Sequence, residues 1–368
     1  MKKTLAALSV GALALVAFAS PAAAEPVGAP TFRDLSGLGS DTTFALMNAV
    51  SDQVLVTGTF QAENDTAATP TTYTNTKVIG SYNPQGSATV ATKDAAEFAG
   101  CGAVTRANGS GAGRTALVNS IANNDNCLQF ARSSSSPVVA TISFIPIATD
   151  GLTFATPPNA DLGTILTLAE LQGIYNEPGT AGTASCDFDP LIPQAGSGTR
   201  GDWASFVGYV FGAGGVVVAT ECTTDLNNSG GLVQEHNGND LTATNQISPY
   251  SVAQYLAQSY GATTDRRNNV TLGAVRGPVL AGGATNPDVR YPIAINPNAL
   301  SVVRTVGNYV STTDFNNTNS LEYRVFRDIS GAAVGPNVIS NSEVCNDAGD
   351  PVTGQDIITR EGFLNNFC

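Results

Sequence analysis

Three short segments combine glycines with hydroxyl side chains, and each stands directly before a helix-like run. They are "GLGSDTT" (37–43), "NGSGAGR" (108–114) and "AGSGTR" (195–200). The first turn of a helix leaves backbone N–H groups unpaired and carries a partial positive charge, and serine and threonine hydroxyls add further donors. Each segment alone is typical of an ordinary N-cap. Several that converge would form a site for an anion without any lysine.

Other chemistries find little support in the same residues. The only lysines after residue 24 are Lys77 and Lys93, and neither follows a glycine, which excludes a nucleotide-hydrolase phosphate loop. "GLGSDT" lacks the third glycine of a dinucleotide fingerprint, and "AGSGT" does not match the Gly-x-Ser-x-Gly elbow of hydrolases. The single histidine, His236, lies in the polar loop "QEHNGND" and is predicted to be solvated. We therefore predict no metal, no cofactor and no catalytic residues.

The first 24 residues have the pattern of a secretory signal peptide. Lys2 and Lys3 precede an apolar run and the small residues 22–24. Without this segment, 15 basic and 30 acidic residues remain among 344, a net charge of −15. Such a charge argues against nucleic acid as a partner. We expect a secreted monomer with no lipid-anchor cysteine at the cleavage site.

Six cysteines are an even number in a chain predicted to be exported, so we expect three disulfides. Six cysteines allow 15 pairings, and the sequence does not decide among them. We predict pairing of sequence neighbours, because this closes loops of moderate length inside separate regions. The predicted pairs are Cys101–Cys127, Cys186–Cys222 and Cys345–Cys368.

Short runs rich in Val, Ile and Thr alternate with helix-like segments, which indicates an α/β fold. "VVATISFIPIA" (138–148) and the following "LTFAT" form an extended passage. We predict helices in the runs after the first two glycine–hydroxyl segments, and at 167–176, 202–212 (the run after the third segment), 248–260 and 300–311.

The blocks "LSGLGSDTTF", "NGSGAGRTALVNSI", "CLQFARSSSSP", "TLAELQGIYN", "AGSGTRGDW" and "ISPYSVAQYLA" occur in this order over most of the chain. In this order they resemble the phosphate-type substrate-binding proteins of ABC importers, in particular exported actinobacterial members. The resemblance implies a two-lobed periplasmic-binding-protein-like α/β fold (type 2) with hinge crossover strands. It implies lobe 1 at 25–147 plus 276–368 and lobe 2 at 148–275. A dehydrated tetrahedral oxyanion would bind in the cleft, and the lobes would close over it.

The resemblance also places the ligand-binding residues. The first segment supplies Ser40, Asp41 and Thr42, the second supplies Ser110 and Gly111, and the third supplies Ser197, Gly198 and Thr199. Two departures concern charge. An arginine common in the family is replaced by Pro193, and the family's "FGASD" block reads "FARSS", so that Ser134 stands where the aspartate accepts a proton from phosphate.

Three arginines adjoin the hydroxyl segments and complete the predicted site: Arg114, Arg132 and Arg200. A guanidinium grips an oxyanion with two parallel hydrogen bonds. Asp41 leaves two alternatives. If Asp41 points into the cleft, its carboxylate would accept a hydrogen bond from phosphate, which still carries a proton, and would disfavour sulfate, which carries none. If Asp41 caps its helix and faces away, sulfate could compete.

These observations predict an exported protein that captures an oxyanion, preferably phosphate, for ABC import, with importer membrane subunits as partners. Three alternatives remain open. One is a secreted two-lobe surface or adhesion protein without a ligand. Another is a binder of a sulfate-like oxyanion. The last is an ester hydrolase with Ser110 or Ser197 as its nucleophile.

Overall fold

The computed structural model describes residues 25–26, 28, 30–61, 70–276, 302–326 and 357–365. The predicted signal peptide and the predicted pair Cys345–Cys368 lie outside these residues. In the described part, no helix is both long and apolar enough to cross a membrane.

The chain alternates strands and helices, which confirms the α/β class. The strands are β1 (Leu35–Gly39), β2 (Leu55–Phe60), β3 (Thr71–Lys77), β4 (Ile79–Ser81), β5 (Thr89–Val90), β6 (Val104–Thr105), β7 (Phe130–Ser133), β8 (Ile142–Thr156), β9 (Ile165–Thr167), β10 (Asp189–Pro190), β11 (Gln246–Ser251), β12 (Thr271–Leu272), β13 (Ala274–Arg276) and β14 (Val302–Ser311). The α-helices are α1 (Phe44–Gln53), α2 (Ser110–Asn123), α3 (Leu168–Tyr175), α4 (Gly198–Val207), α5 (Val252–Tyr260), α6 (Thr312–Asn316), α7 (Leu321–Phe326) and α8 (Ile357–Arg360).

One large sheet carries the fold, with its strands in the order β10-β11-β8-β14-β7-β1-β4 and β12 paired to β8. At one end β4, β1 and β7 run parallel to one another. β14 pairs antiparallel with both β7 and β8, so these two long strands form the middle of the sheet. The register places Arg304 of β14 opposite Asp150 of β8.

Two groups of apolar side chains pack on this sheet. Leu35, Leu46 and Phe130 belong to a core between α1 and the parallel strands. Trp203 and Leu171 belong to a second core, where α3 and α4 pack on the other half of the sheet. These cores fix the strand ends and helix starts from which polar side chains project.

The predicted extended passage is confirmed, because Ile142–Thr156 form one 15-residue strand. The predicted helix at 300–311 is wrong: its described part, residues 302–311, is β14. The segment is rich in β-branched residues, which favour a strand, and residues 306–310 are all buried, which hides the alternation of period two.

Two other predicted helices are shifted in position. The helix predicted at 202–212 spans Gly198–Val207, because Ser197 caps its N-terminus and Gly208 ends it at a φ of 68°. The helix predicted at 248–260 begins only at Val252, after strand β11. The helix predicted at 167–176 is α3, which Thr167 and Glu170 start with a reciprocal capping box.

Two of the predicted disulfides are present. Cys101 bonds to Cys127, and Cys186 bonds to Cys222. Each joins sequence neighbours, as predicted. Within the described residues, the one group of His, Cys, Asp and Glu with metal-ligand spacing is Cys101, Asp125 and Cys127, and its two sulfurs are already consumed in a disulfide.

Candidate functional site

The first glycine–hydroxyl segment lies at the end of β1, beside the end of β7. The two strands are parallel neighbours with Gly39 opposite Arg132, and Ser40 N–H donates to the Arg132 carbonyl at 3.1 Å. Because parallel strands end at the same edge of a sheet, Ser40 and Ser134 leave the sheet side by side. The loops that follow these strands therefore share one edge of the sheet.

A pair of serine hydroxyls joins the second segment to this edge. Ser110 Oγ lies 3.1 Å from Ser134 Oγ and accepts a hydrogen bond from Ser134 N–H at 2.9 Å. We call Ser110 and Ser134 the serine pair. A Cβ atom on Gly198 would lie 2.5 Å from Ser134 Oγ and 2.6 Å from Ser110 Oγ. Only glycine at position 198 lets the start of α4 approach the serine pair this closely.

The second and third segments also meet through their backbones. Gly111 N–H donates to the Gly196 carbonyl at 2.8 Å. The side chain of Asn108 donates to Gln234 at 2.8 Å and accepts from Gln194 at 3.1 Å. The structure therefore brings all three predicted segments together at one place.

The carboxylate of Glu235 occupies the centre of this convergence. Its Oε2 accepts from the Thr42 hydroxyl at 3.2 Å, and its Oε1 accepts from the Ser197 hydroxyl and from Thr199 N–H at 3.3 Å. Glu235 is only 1% exposed. Donors from the first and third segments thus hold one buried anionic group, and the Thr199 N–H belongs to the first turn of α4, where the helix dipole favours negative charge.

His236 contacts the same hydroxyl from the other side. Its Nδ1 accepts a hydrogen bond from Ser251 N–H at 3.1 Å, and its Nε2 lies 2.9 Å from Thr42 Oγ1. A backbone N–H can only donate, so Nδ1 is unprotonated, and Nε2–H is the donor to Thr42. The prediction that His236 is solvated is wrong, since its side chain is 1% exposed and completes this network.

Arg304 supplies the positive charge of the site. Its Nε and Nη2 contact Asp150 Oδ2 at 3.0 and 2.9 Å. Its Nη2 also donates to Thr42 Oγ1 at 3.2 Å, and its Nη1 donates to Thr199 Oγ1 at 3.0 Å. The guanidinium therefore bridges the first and third segments from the middle of the sheet. We call Thr42, Ser197, Thr199, Glu235, His236 and Arg304 the Glu235 cluster.

The electrostatics of the cluster favour an ionised Glu235. Burial works against its charge, but the nearby His236, the positive charge of Arg304 and the Ser197 hydroxyl outweigh this and lower the pKa of the carboxyl below its usual value. For Asp202 the same kinds of effect give a raised pKa. Burial raises its pKa, the ion pair with Arg304 at 3.3 Å opposes the shift, and the negative charges of Glu235 and Asp150 add to it.

The three predicted arginines have other partners. Arg114 donates to the Ser133 and Ser135 hydroxyls at 3.0 and 3.1 Å. Arg200 donates to the Pro193 carbonyl at 2.7 Å and pairs with Asp225 at 3.0 Å. The Arg200 side chain therefore contacts residues outside the Glu235 cluster, although the Arg200 backbone N–H donates to the Ser197 hydroxyl.

Arg132 lies beneath the first segment. It donates to the carbonyls of Ser40 and Gly37, each at 3.2 Å, and to the Ser81 hydroxyl at 3.0 Å. Complete burial lowers its pKa to about 9, so it stays charged near neutral pH. Within the described ranges, Arg132 Nη2 and Ser40 Oγ are buried with no hydrogen-bond partner, which leaves one donor of each residue unused.

Of the two alternatives for Asp41, the helix cap is wrong. Its carboxylate pairs with Arg266 at 3.1 Å and accepts from the Gln85 amide at 3.4 Å. No side chain caps α1, whose N-cap is Thr43. Asp41 lines a cavity of about 680 Å³ together with Asn48 and Arg266.

Sequence reasoning identified the hydroxyl residues and missed Glu235, His236 and Arg304. A lone arginine inside the apolar run "VVRTV" was a usable signal, because a charge buried in a strand requires a partner. Glu235 gave no local signal, since it lies in an Asn- and Gly-rich loop 193 residues from Thr42.

No family model and no curated protein matches the chain. Among solved structures, it is similar to a putative phosphate ABC transporter substrate-binding protein with bound phosphate from Clostridium perfringens, at 17% identity over 90% of this chain and 98% of that chain, with a TM-score of 0.47. It is similar to an ABC-type phosphate transport receptor from Vibrio cholerae, at 15% identity over 90% and 99% of the two chains, with a TM-score of 0.43. It is also similar to PstS from Borrelia burgdorferi, at 17% identity over 70% and 84%, with a TM-score of 0.34. Likenesses at these TM-scores do not assign a function to this chain.

Proposed function

We propose that this protein is an exported solute-binding protein that captures a tetrahedral oxyanion, with phosphate preferred, for an ABC importer. The observation that carries the proposal is the environment of Glu235. Hydroxyl and backbone donors from two glycine–hydroxyl segments converge on its buried carboxylate. An arrangement that holds one anionic oxygen pair in this way has the donors that a free oxyanion requires.

The remaining groups complete such a site. Arg304 provides a fixed guanidinium next to the hydroxyls of Thr42 and Thr199. Ser40 Oγ and Arg132 Nη2, from the first segment and from the strand beside it, are among the buried donors that have no partner in the described residues. The serine pair lies against Gly198, at the same helix start. A tetrahedral anion has four oxygens and needs more donors than a carboxylate, which these groups supply.

We further propose that residues 25–147 plus 276–368 and residues 148–275 form two lobes that close over the ligand. Thr42 of the first lobe and Glu235 of the second lobe meet at the cluster, which supports a site between the lobes. Cys101–Cys127 lies within the first proposed lobe and Cys186–Cys222 lies within the second, so neither disulfide crosslinks the lobes across a hinge. Such a protein acts as a monomer and delivers its ligand to importer membrane subunits.

One observation favours a second candidate function. The protein's own carboxylate fills the donor cluster, as expected of a two-lobe surface protein that has lost its ligand. A hydrolase that uses Ser197 is disfavoured, because the base in contact with its hydroxyl is Glu235, and a carboxylate with a lowered pKa is a weak base near neutral pH.

A thermal-shift screen of the mature protein separates these functions. Phosphate bound only by the folded state raises the melting temperature in a concentration-dependent way. We expect this for phosphate, and sulfate is the comparison anion, since Asp41, the acceptor that would disfavour sulfate, pairs with Arg266. A melting temperature that stays constant with both anions would favour the surface protein without a ligand, whereas turnover of a phosphate or acyl ester would favour the hydrolase.

A further inference from the structure

Glu235 is bound in the way that a ligand would be bound. Both of its oxygens accept hydrogen bonds, Oε2 from Thr42 and Oε1 from Ser197 and Thr199. The next residue, His236, has a φ of 55°, the left-handed region that residues other than glycine adopt at a cost in backbone energy. The surroundings therefore hold this part of the loop in a strained conformation, with the carboxylate directed into the cluster.

The donors of the cluster cannot serve Glu235 and a free anion at the same time. The Thr42 hydroxyl has one proton, which it gives to Glu235, and its two lone pairs accept from His236 and Arg304. The Thr199 N–H likewise has one proton, and it points at Glu235. A second anion within a few ångströms would also be repelled by the carboxylate in this buried site.

We propose that Glu235 is a tethered competitor of the oxyanion: its carboxylate occupies the binding site in the ligand-free protein, and the incoming anion displaces it. The proposal rests on the oxyanion-binding function proposed above. Glu235 then determines the working affinity, because each binding event must first break its hydrogen bonds. The bound carboxylate also joins both proposed lobes, so the empty protein stays closed until ligand exchange opens it.

Replacement of Glu235 tests this directly. In Glu235→Gln, the neutral amide no longer competes as an anion, and in Glu235→Ala the position is vacant. We expect either variant to bind inorganic phosphate at least about tenfold more tightly than the wild type, which corresponds to loss of one charge-assisted hydrogen bond. Calorimetric titration at neutral pH measures the change.

Glu177→Gln is the matched control. The Glu177 carboxylate is half-buried and accepts from the backbone N–H groups of Asp187 and Phe188, outside the cluster. Its replacement removes the same charge from the same proposed lobe. Phosphate affinity in this variant should equal that of the wild type, because Glu177 touches no donor of the cluster.

A small carboxylate provides a second readout. If Glu235 acts as a bound anion, formate should fill the vacant position in Glu235→Ala and raise its melting temperature, with no effect on the wild type. This measurement requires only the folded protein and does not depend on phosphate affinity.

The outcomes separate this inference from the function on which it rests. Tighter phosphate binding by the Glu235 variants supports it, as does binding by the variants alone. Equal or weaker binding by both variants, with phosphate still bound by the wild type, overturns the tethered-competitor role and leaves the proposed function intact. If neither the wild type nor the variants bind phosphate or sulfate at millimolar concentration, the proposed function fails, and this inference fails with it.

Discussion

At the scale of single residues, the candidate site depends on the close approach of α4 to the serine pair as much as on the charge of its side chains. Gly198 illustrates this, because its missing side chain leaves room for the serine pair at the start of α4. Arg304 illustrates the other requirement. Its guanidinium contacts two hydroxyls and a buried carboxylate at once, which a lysine ammonium cannot reproduce in the same geometry.

Gly198→Ala should weaken phosphate binding by at least about tenfold, because the new methyl group forces the serine pair and α4 apart. Gly201→Ala in the same helix is the control. A Cβ atom there meets nothing within 4 Å, and the change should stabilise the protein by up to about 1 kcal/mol. Titration calorimetry and thermal melts measure both effects. Equal affinities in the two variants would show that close approach at position 198 is unimportant.

Arg304→Lys should weaken phosphate binding by at least about tenfold, although the charge is kept, because one ammonium group cannot replace the separate contacts to Thr42, Thr199 and Asp150. Arg267→Lys is the control, since Arg267 pairs with Asp265 and lies over the Tyr255 ring, with no contact to the cluster in the described residues. Unchanged affinity in Arg304→Lys would remove Arg304 from the site.

At the scale of elements, local signals predicted the helices with clear starts. The N-terminal segments of α1, α2 and α4 were visible as glycine and hydroxyl residues before apolar runs. β14 was mistaken for a helix, because a central strand buried on both faces lacks strict alternation. That error also concealed Arg304. The partners of Glu235 were beyond sequence reasoning for another reason, since they come from elements far apart in the chain.

Helix α8 gives a pH-dependent prediction. Burial raises the pKa of Glu361, which follows this helix, to about 7, against the opposing charge and hydrogen bond of Arg360. The folded chain therefore binds this proton more tightly than the unfolded chain, whose value is near 4.5. Its contribution to stability is complete below pH 4.5 and is lost as the pH rises through about 7.

Replacing this carboxyl by a neutral group removes the titration. Glu361→Gln should flatten the dependence of the unfolding free energy on pH in this window by about 3 kcal/mol. Denaturant unfolding at a series of pH values measures it. A wild type and variant with the same pH profile would show that Glu361 does not titrate in this range.

At the scale of the whole molecule, one sheet passes through both proposed lobes by way of β8 and β14, and the Glu235 cluster lies where these strands meet the three hydroxyl segments. In the proposed two-lobe arrangement these two strands form the hinge, and the ion pair of Arg304 with Asp150 joins them. The strong net negative charge of the chain repels anions at long range, so the proposed capture of an oxyanion would depend on the local donors and on Arg304.

A calorimetric titration of the mature protein with phosphate, and with sulfate as the comparison, decides whether the chain binds an oxyanion. We expect saturable binding of one phosphate per chain, which Glu235→Gln makes tighter and Arg304→Lys makes weaker. The proposed function fails if neither anion produces saturable heat with the wild type or with Glu235→Gln, while circular dichroism shows both proteins folded.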